Sequence, residues 1–200
     1  VVLYDDDCCV AVDKPVGMAT APTRQAAAGT ALEELQRQLG VERGRRLWLV
    51  HRLDRDTSGV LLFARTSAAA RNLDAAFRER GVEKDYLAWV AGRVESEAGE
   101  IHARLSNRAG RAFVDPAGKA ADTRFEVIER AADRTLLSLR PSTGRMHQLR
   151  VHMKHLGHPI VGDRLYGGPP GARLMLHATR LRLPHPQTGE ALLIEAPPPW

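Results

Sequence analysis

The sequence predicts an α+β fold in which helices pack on a mixed, mainly antiparallel sheet. Several short segments have the alternation or the β-branched and aromatic content of strands, and turn residues separate them. Three other segments carry apolar residues at the three- and four-residue spacing of an amphipathic helix. A chain of 200 residues is long enough to bury a core, so we expect one domain over residues 1–200.

Six segments predict strands, and the first of them is residues 8–12. Val60–Ala64 is a continuous apolar run, typical of a buried strand. Residues 84–90 alternate and contain aromatic residues, and 124–128 with 135–139 form a probable hairpin. Residues 101–121 are polar and weakly patterned, so we expect only short strands and loops there.

The first predicted helix follows Thr30. Leu32, Leu35 and Leu39 recur on one helical face, and Gly40 provides a stop.

A second helix begins after Thr66 or Ser67, either of which can cap its first turn. It turns Leu73 and Phe77 inward and ends at Gly81.

The charge balance favours an anionic partner. The chain has 29 Lys and Arg against 24 Asp and Glu, which gives +5 and a pI near 9.7. A basic protein attracts nucleic acid, although an excess of this size is also common in proteins that bind none.

The two cysteines indicate a reducing compartment. Cys8 and Cys9 are adjacent in a predicted strand and point to opposite faces, so they suit neither a disulfide nor a four-ligand zinc site. No apolar run is long enough to span a bilayer, and the N-terminus lacks the pattern of a signal peptide. We therefore expect a cytoplasmic protein that does not bind a membrane.

The segment His51–Gly59, with the sequence HRLDRDTSG, concentrates the chemistry of the chain. Asp54 stands between Arg52 and Arg55, and nearby positive charges favour an ionised carboxylate. Asp54 is therefore a candidate nucleophile, base or anion. The small residues that follow predict a tight loop before the apolar strand, so Asp54 would lie at the rim of a sheet.

Residues 142–159 predict a helix of about three turns between a Ser/Thr cap and Gly157. Met146, Leu149, Met153 and Leu156 form its buried stripe. The remaining faces hold Arg145, Arg150, His152, Lys154 and His155.

Arg145 falls in the first turn of this helix, where unpaired backbone donors also point. Together they could hold a phosphate or a catalytic carboxylate. The four histidines of the segment lack the spacing of a His-Glu-x-x-His site, and we predict no metal.

These motifs together resemble the RluA family of RNA pseudouridine synthases. His51–Gly59 matches the catalytic signature of that family nearly letter for letter, and Thr143–His152 matches its third motif. Asp13–Gly17 and Lys84–Tyr86 match two further segments in the expected order. The similarity extends over nearly the whole chain, which makes it very specific.

The resemblance implies an isomerase that detaches a uracil from its ribose, rotates it and rejoins it through carbon 5. Asp54 is then the catalytic carboxylate, as a nucleophile or as the base that removes a sugar proton. Arg145 pairs with Asp54 and positions it, and Tyr86 stacks on the uracil and assists proton removal. On pattern alone, Tyr86 would be an ordinary packing residue of a strand. The reaction demands no cofactor, and we predict none.

The implied partner is a structured stem-loop of ribosomal RNA, transfer RNA or both. Arg52 matches the position that enters the RNA when the uridine is flipped out. We also assign RNA contact to basic residues near the motifs, with Lys14 pointing outward after the break at Pro15 and Gly17. The RNA-binding set is Arg52, His51, Arg55, Lys14, Arg150 and Lys154.

The family fold adds a basic cleft across the strand ends. We expect a single catalytic domain over residues 1–200, no N-terminal S4 module, and a monomer.

Two other function classes stay open. One is an RNA-binding or chaperone protein on the same fold that has no catalytic activity. The other is a hydrolase that uses Asp54 with a second carboxylate such as Asp56 or Asp163, since a glycosidase needs two carboxyl groups.

Overall fold

A computed structural model describes residues 1–22, 28–40 and 46–200 of the chain. Its contacts divide the chain into two compact units, Val1–Glu83 with Ala178–Trp200 (unit 1) and Lys84–His177 (unit 2). In chain order the elements are β1 (Val2–Asp5), β2 (Cys9–Lys14), α1 (Ala31–Gln38), β3 (Trp48–Leu49), β4 (Ser58–Ala64), α2 (Ser67–Arg78), β5 (Glu83–Ala91), β6 (Ala98–Arg108), β7 (Arg111–Val114), β8 (Lys119–Arg130), β9 (Arg134–Pro141), α3 (Gln148–His155), β10 (Leu176–Pro184) and β11 (Ala191–Glu195). The single catalytic domain and the basic cleft stay predictions.

The sheet of unit 1 has the strand order β1-β2-β4-β10, with β3 beside β4 and β11 beside β10. The pairs β1–β2, β2–β4, β3–β4 and β10–β11 are antiparallel, as the sequence predicted for most of the sheet. Every residue of β4 is buried, and Leu61, Leu62 and Phe63 have no exposed surface. An apolar run without alternation is what a strand covered on both faces requires.

Both predicted helices of unit 1 are present, and the cap predicted for the second one is confirmed at Thr66. Thr30 accepts a hydrogen bond from the backbone N–H of Glu33, and the Glu33 carboxylate accepts one from the Thr30 N–H, which forms a capping box. Thr66 caps α2 by accepting from the N–H of Ala69. Leu73 of α2 is fully buried in the core of unit 1.

The sheet of unit 2 has the order β5-β9-β8-β6-β7, and all four neighbouring pairs are antiparallel. The hairpin of β8 and β9 confirms the prediction for residues 124–139. One core cluster packs β5 and β9 against α3, with Leu137, Leu139 and Met153 fully buried.

The prediction of short strands over residues 101–121 is wrong. β6 contains eleven residues and β8 contains twelve. Residues 98–105 of β6 pair with residues 119–126 of β8. One face of this ladder is polar, while the other presents alanines such as Ala103 and Ala121 to the cluster that contains Val151 of α3. Small residues give only a weak hydrophobic alternation, so the sequence pattern does not reveal how far these strands extend.

Among residues 1–22, 28–40 and 46–200, we find no helix with the length and apolar character needed to cross a membrane.

Gly59 in β4 is a strong test of this packing. It has a φ of +112°, and a Cβ there would overlap the backbone of Ala178 in β10. We expect Gly59→Ala to lower the free energy of unfolding by about 2–4 kcal/mol, from backbone strain and overpacking together. Gly81→Ala is the control, since its Cβ would make an ordinary contact, and it should change stability by less than about 0.5 kcal/mol. Equal urea midpoints for the two variants would contradict the close approach.

Candidate active-site residues

Asp54 lies in a loop that ends directly at the buried strand β4. The N–H of Thr57 donates to the backbone oxygen of Asp54 at 3.1 Å, which closes a turn, and β4 begins at Ser58. Asp54 is half-buried. The prediction of a tight loop that carries Asp54 and leads into the buried strand is confirmed.

The residue before Asp54 is anchored by a side chain that sequence reasoning missed. The buried Thr20 hydroxyl donates to the backbone oxygen of Leu53 at 2.8 Å and accepts from its N–H at 3.2 Å. Both backbone groups of Leu53 are therefore held by one side chain. A lone threonine 33 positions away has no sequence pattern that would reveal this contact.

The two arginines beside Asp54 are exposed. The Nε of Arg55 donates to the Gly17 oxygen at 2.8 Å, and the Gly17 N–H donates to the Arg55 oxygen at 2.9 Å. These bonds tie the Asp54 loop to the turn after β2. Arg52 stays a predicted contact for RNA, and its exposure suits that role.

The prediction that Lys14 points outward is wrong. Its side chain has no exposed surface, and its ammonium group donates to the backbone oxygens of Pro15, Met18 and Arg55 at 2.8–3.1 Å. A cation held by three carbonyls inside the protein is not available to a phosphate. The Pro-Gly break did produce a turn, but this turn supplies two of the acceptors of Lys14, and the Asp54 loop supplies the third.

His51 makes packing contacts within unit 1. Its Nε2 accepts from the N–H of Leu62 in β4 at 2.9 Å, and its ring stacks on Phe77 of α2 at 5.0 Å between centroids. The imidazole thus joins the motif loop to a strand and a helix. Contact with RNA stays a prediction for His51.

Tyr86 lies half-buried in β5, against the core of unit 2 and opposite Leu139 of β9. Two residues earlier, Lys84 is largely buried, and burial lowers the pKa of its ammonium group. The Nζ of Lys84 donates to the backbone oxygen of Thr143 at 3.4 Å. Lys84 therefore connects the Tyr86 segment with the third motif, a role that sequence analysis did not assign.

The predicted position of Arg145 in the first turn of a helix is wrong. α3 begins only at Gln148 and has eight residues, because His147 adopts the left-handed backbone conformation with a φ of +52°. Arg145 instead stands exposed in the preceding turn, and its Nε donates to the backbone oxygen of Ala120 at 3.1 Å.

A buried glutamine shapes the Arg145 turn. Gln148 Oε1 accepts from the Thr143 hydroxyl at 2.7 Å and from the Arg145 N–H at 3.0 Å. Its Nε2 donates to the Asp122 oxygen at 2.9 Å and to the Thr123 hydroxyl at 3.0 Å. All four hydrogen-bonding positions of this amide are filled, so it fixes the turn to β8.

The predicted exposure of Arg150 is also wrong. Its guanidinium forms a bidentate pair with the buried carboxylate of Asp163, at 2.7 and 2.8 Å, and lies over the Tyr166 ring. Asp163 also accepts from the N–H groups of Leu165 and Tyr166. Arg150 thus organises the loop after α3, and its phosphate contact is withdrawn. Lys154, on the same helix, is exposed as predicted.

His152 is the other residue of α3 that was expected on an open face and is buried. Its Nδ1 lies 3.0 Å from the Thr123 hydroxyl, while its Nε2 has no hydrogen-bond partner among the described residues. Burial, followed by the charge of His155, lowers the pKa of His152 to about 4. The imidazole is therefore neutral at pH 7.

Two other histidines of segment 142–159, His147 and His158, form hydrogen bonds with different partners. His147 bonds the Tyr166 hydroxyl at 2.8 Å, and His158 bonds the Ala91 oxygen at 2.8 Å.

Elsewhere, within the part of the chain that the structure describes, three possible metal ligands do meet: Asp6, Cys9 and His185. Burial alone would raise the pKa of Asp6, but bonds from Tyr4, the Cys9 N–H and His185 outweigh it and hold that pKa well below its usual range. Burial raises the pKa of the Cys9 thiol to about 12. Hydrogen bonds to the Asp6 carboxylate therefore hold this turn, and both Cys8 and Cys9 are free cysteines.

These motifs lie inside a recognisable family domain. A model of the RNA pseudouridylate synthase family matches residues 9–155. The chain belongs to the RNA pseudouridylate synthase family. Members of this family are isomerases that convert uridine to pseudouridine in RNA, which confirms the predicted class of enzyme.

Relatives cover nearly the whole chain. The dual-specificity RNA pseudouridine synthase RluA of Escherichia coli strain CFT073 is 42% identical over 207 residues, with 98% of this chain and 92% of that protein covered. The ribosomal large subunit pseudouridine synthase C of Escherichia coli K12 is 44% identical over 213 residues, covering 98% of this chain and 66% of that protein. The resemblance to the RluA family is thereby confirmed.

A solved structure of human RNA pseudouridylate synthase domain containing 1 superposes with a TM-score of 0.84 at 29% identity. It covers 99% of this chain and 83% of the human one. The α+β fold with a mainly antiparallel sheet is therefore that of a pseudouridylate synthase.

Lys14 provides a direct test of its structural role. Lys14→Met keeps the length of the side chain but leaves three buried carbonyls without their donor, so we expect a loss of about 2–4 kcal/mol in unfolding free energy. Urea denaturation measures this. Lys154→Met, at an exposed lysine, should change stability by less than about 0.5 kcal/mol. If Lys14→Met weakened RNA binding without loss of stability, Lys14 would be a phosphate contact instead.

His152 should make stability depend on pH in a defined window. Its folded-state pKa of about 4 lies below the ordinary value of 6.5, so below pH 6.5 the unfolded chain binds a proton that the folded protein does not. Stability should therefore fall as the pH drops from 6.5 towards 4, and His152→Asn should flatten this decline. His155→Asn, at an exposed neighbour, should retain most of this decline in melting temperature, because burial is the larger cause of the lowered pKa of His152. Identical profiles for all three proteins would contradict the burial of His152.

Proposed function

We propose that this protein isomerises a specific uridine to pseudouridine in a structured stem-loop of ribosomal or transfer RNA, and that Asp54 is its catalytic carboxylate. The names of the relatives support this substrate class, since one is a dual-specificity RNA enzyme and another acts on the large ribosomal subunit. The observation that carries the assignment of Asp54 is its loop. Leu53 is fixed by Thr20, the turn closes at Thr57, and a fully buried strand follows.

The reaction needs a carboxylate held in a defined position. The bond between N1 of the uracil and the sugar must break, the base must rotate, and a new bond must form at carbon 5. Asp54 serves either as the nucleophile at the sugar carbon or as the base that removes a sugar proton. The reaction involves no change of oxidation state, and we propose that it proceeds without a cofactor.

Tyr86 and Arg145 assist this carboxylate in our proposal, as the family resemblance implies. Tyr86 stacks on the uracil and takes part in removing the proton from carbon 5, as its half-buried ring in β5 allows. Arg145 is the cation that the family resemblance pairs with Asp54. Its exposed guanidinium extends from a turn fixed by Gln148, which limits the conformations available to its backbone.

RNA binding requires that the target uridine leave its stack, at a cost of about a few kcal/mol. We propose that Arg52, exposed two residues before Asp54, enters the space that the uridine leaves. Arg55 and Lys154 are exposed cations suited to phosphate contact. We also propose RNA contact for His51, which directly precedes Arg52 in the motif. We further propose that residues 1–200 act as one catalytic domain, as a monomer, in the cytoplasm.

The experiment is pseudouridine mapping by carbodiimide adducts and reverse-transcription stops on unmodified total RNA. Asp54→Asn should reduce the rate on the order of 10³-fold or more, because it removes the reacting carboxylate while keeping the size of the side chain. Asp56→Asn is the matched control, an exposed carboxylate two residues away that should retain activity within about twofold. RNA affinity should be similar in all three proteins.

The remaining outcomes distinguish the other function classes. If no protein forms new stops although RNA is bound, the activity is RNA binding alone. If free base or sugar is released, the enzyme is a hydrolase. If Asp56→Asn is as inactive as Asp54→Asn, the assignment of the catalytic carboxylate to Asp54 fails.

A further inference from the structure

An open pocket of about 360 Å³ lies at one end of unit 2. It is formed by β6, the short edge strand β7, the turn before β8, and the turn that carries Arg145. Its lining is Leu105, Ser106, Asn107, Ala112, Ala117, Gly118, Lys119, Gly144, Arg145 and Met146.

The strand register shows which side chains line this pocket. Asn107 pairs with Ala112, and Leu105 pairs with both Val114 and Lys119, so these residues share one face of the sheet. Leu105 and Ala112 are buried in the cluster that packs on α3, and they form the floor. Asn107 and Lys119 remain exposed on the same face, where they form the polar wall.

The rim of the pocket is held in place without a ligand. The N–H of Gly118 donates to the Asp115 backbone oxygen at 2.8 Å, and the N–H of Ala117 donates to its carboxylate at 2.9 Å. Gly118 packs so closely on the backbone of Leu105 that a Cβ would overlap it. On the opposite side, Gln148 and Ala120 hold the Arg145 turn. A preformed rim reduces the entropy lost when a ligand binds.

The chemistry of the walls suits a nucleotide. The Asn107 amide offers one acceptor and two donors, the combination that reads the edge of a base. Lys119 and Arg145 are exposed cations that can contact a phosphate on either side of that base. The apolar floor is small, and the volume is at the lower end of the range for small-molecule pockets, about 300–1,000 Å³.

We infer that this pocket binds a second, unpaired nucleotide of the substrate RNA, with Asn107 reading its base and Lys119 holding its phosphate. The inference rests on the proposed function, since Arg145 belongs both to the pocket and to the proposed catalytic set. It assigns part of the substrate selection to β6, β7 and the turn before β8. Sequence-specific RNA recognition commonly uses unstacked bases of this kind.

The test uses the ribosomal or transfer RNA stem-loop that the wild-type protein binds most tightly, and it measures the dissociation constant by fluorescence anisotropy. We expect Asn107→Ala and Lys119→Ala each to weaken binding about tenfold, as for loss of a base or phosphate contact. Arg104→Ala is the matched control. It removes a charge from β6, but Arg104 points to the opposite face of the sheet, so affinity should stay within about twofold.

A series of stem-loops with one abasic nucleotide each identifies the bound base. The wild type should lose affinity at the target uridine and at one further position. Asn107→Ala should show no additional loss at that further position, since the contact is already absent. Ala117→Trp, which fills the pocket from its exposed rim, should behave like Asn107→Ala, and melting temperatures verify that each variant is folded.

Two results would overturn the inference. Affinities of Asn107→Ala and Lys119→Ala that match Arg104→Ala would show that the pocket is empty in the complex. An abasic profile of Asn107→Ala that is the same as the wild-type profile would exclude base reading. These affinity measurements do not require catalytic turnover. Failure of the proposed function is recognised separately, as bound RNA in which the wild type makes no pseudouridine.

Discussion

The complete burial of β4 is the constraint on which the candidate site depends. A strand covered on both faces cannot shift by one residue without moving an entire set of apolar side chains, so its register is strongly specified. The chain must therefore turn at a fixed place before Ser58, and Asp54 lies in that turn. The Thr20 hydroxyl adds the second anchor at Leu53. A catalytic carboxylate gains from such a position because orientation contributes a large part of enzymatic rate enhancement.

Several polar residues of the motifs serve the protein's own backbone. Lys14 donates to three carbonyls, Gln148 fills all its hydrogen-bonding positions, and Arg150 neutralises a buried carboxylate at Asp163. Burying such groups is costly unless their partners are complete, and here the partners are segments of the same motifs. The charged side chains left at the surface, Arg52, Arg55, Arg145 and Lys154, are those that RNA can reach. The fold thus separates motif residues that shape loops from the exposed motif residues for which substrate contact is proposed.

In unit 2, the same sheet face provides both part of a core and the floor of the open pocket. Near α3 it is covered by Val151 and Tyr166, but the strands extend beyond the helix, because α3 starts later than its sequence pattern suggested. The left-handed His147 delays the start of the helix and leaves the Arg145 turn free of helical geometry. The uncovered part of the face becomes the pocket beside Asn107 and Lys119. A shortened helix therefore creates the space that the further inference uses.

The sequence by itself determined the family, the α+β class, both helices of unit 1 and the loop position of Asp54. These follow from local patterns: a capping residue before a periodic run, an apolar strand after small turn residues, and a nine-residue motif. Tertiary structure alone decided that Lys14, Arg150 and His152 are buried, that α3 is short, and that residues 98–130 form long strands. The physical reason is that a polar side chain is buried or exposed according to partners distant in sequence. Thr20 with Leu53 and Arg150 with Asp163 meet only when the chain has folded.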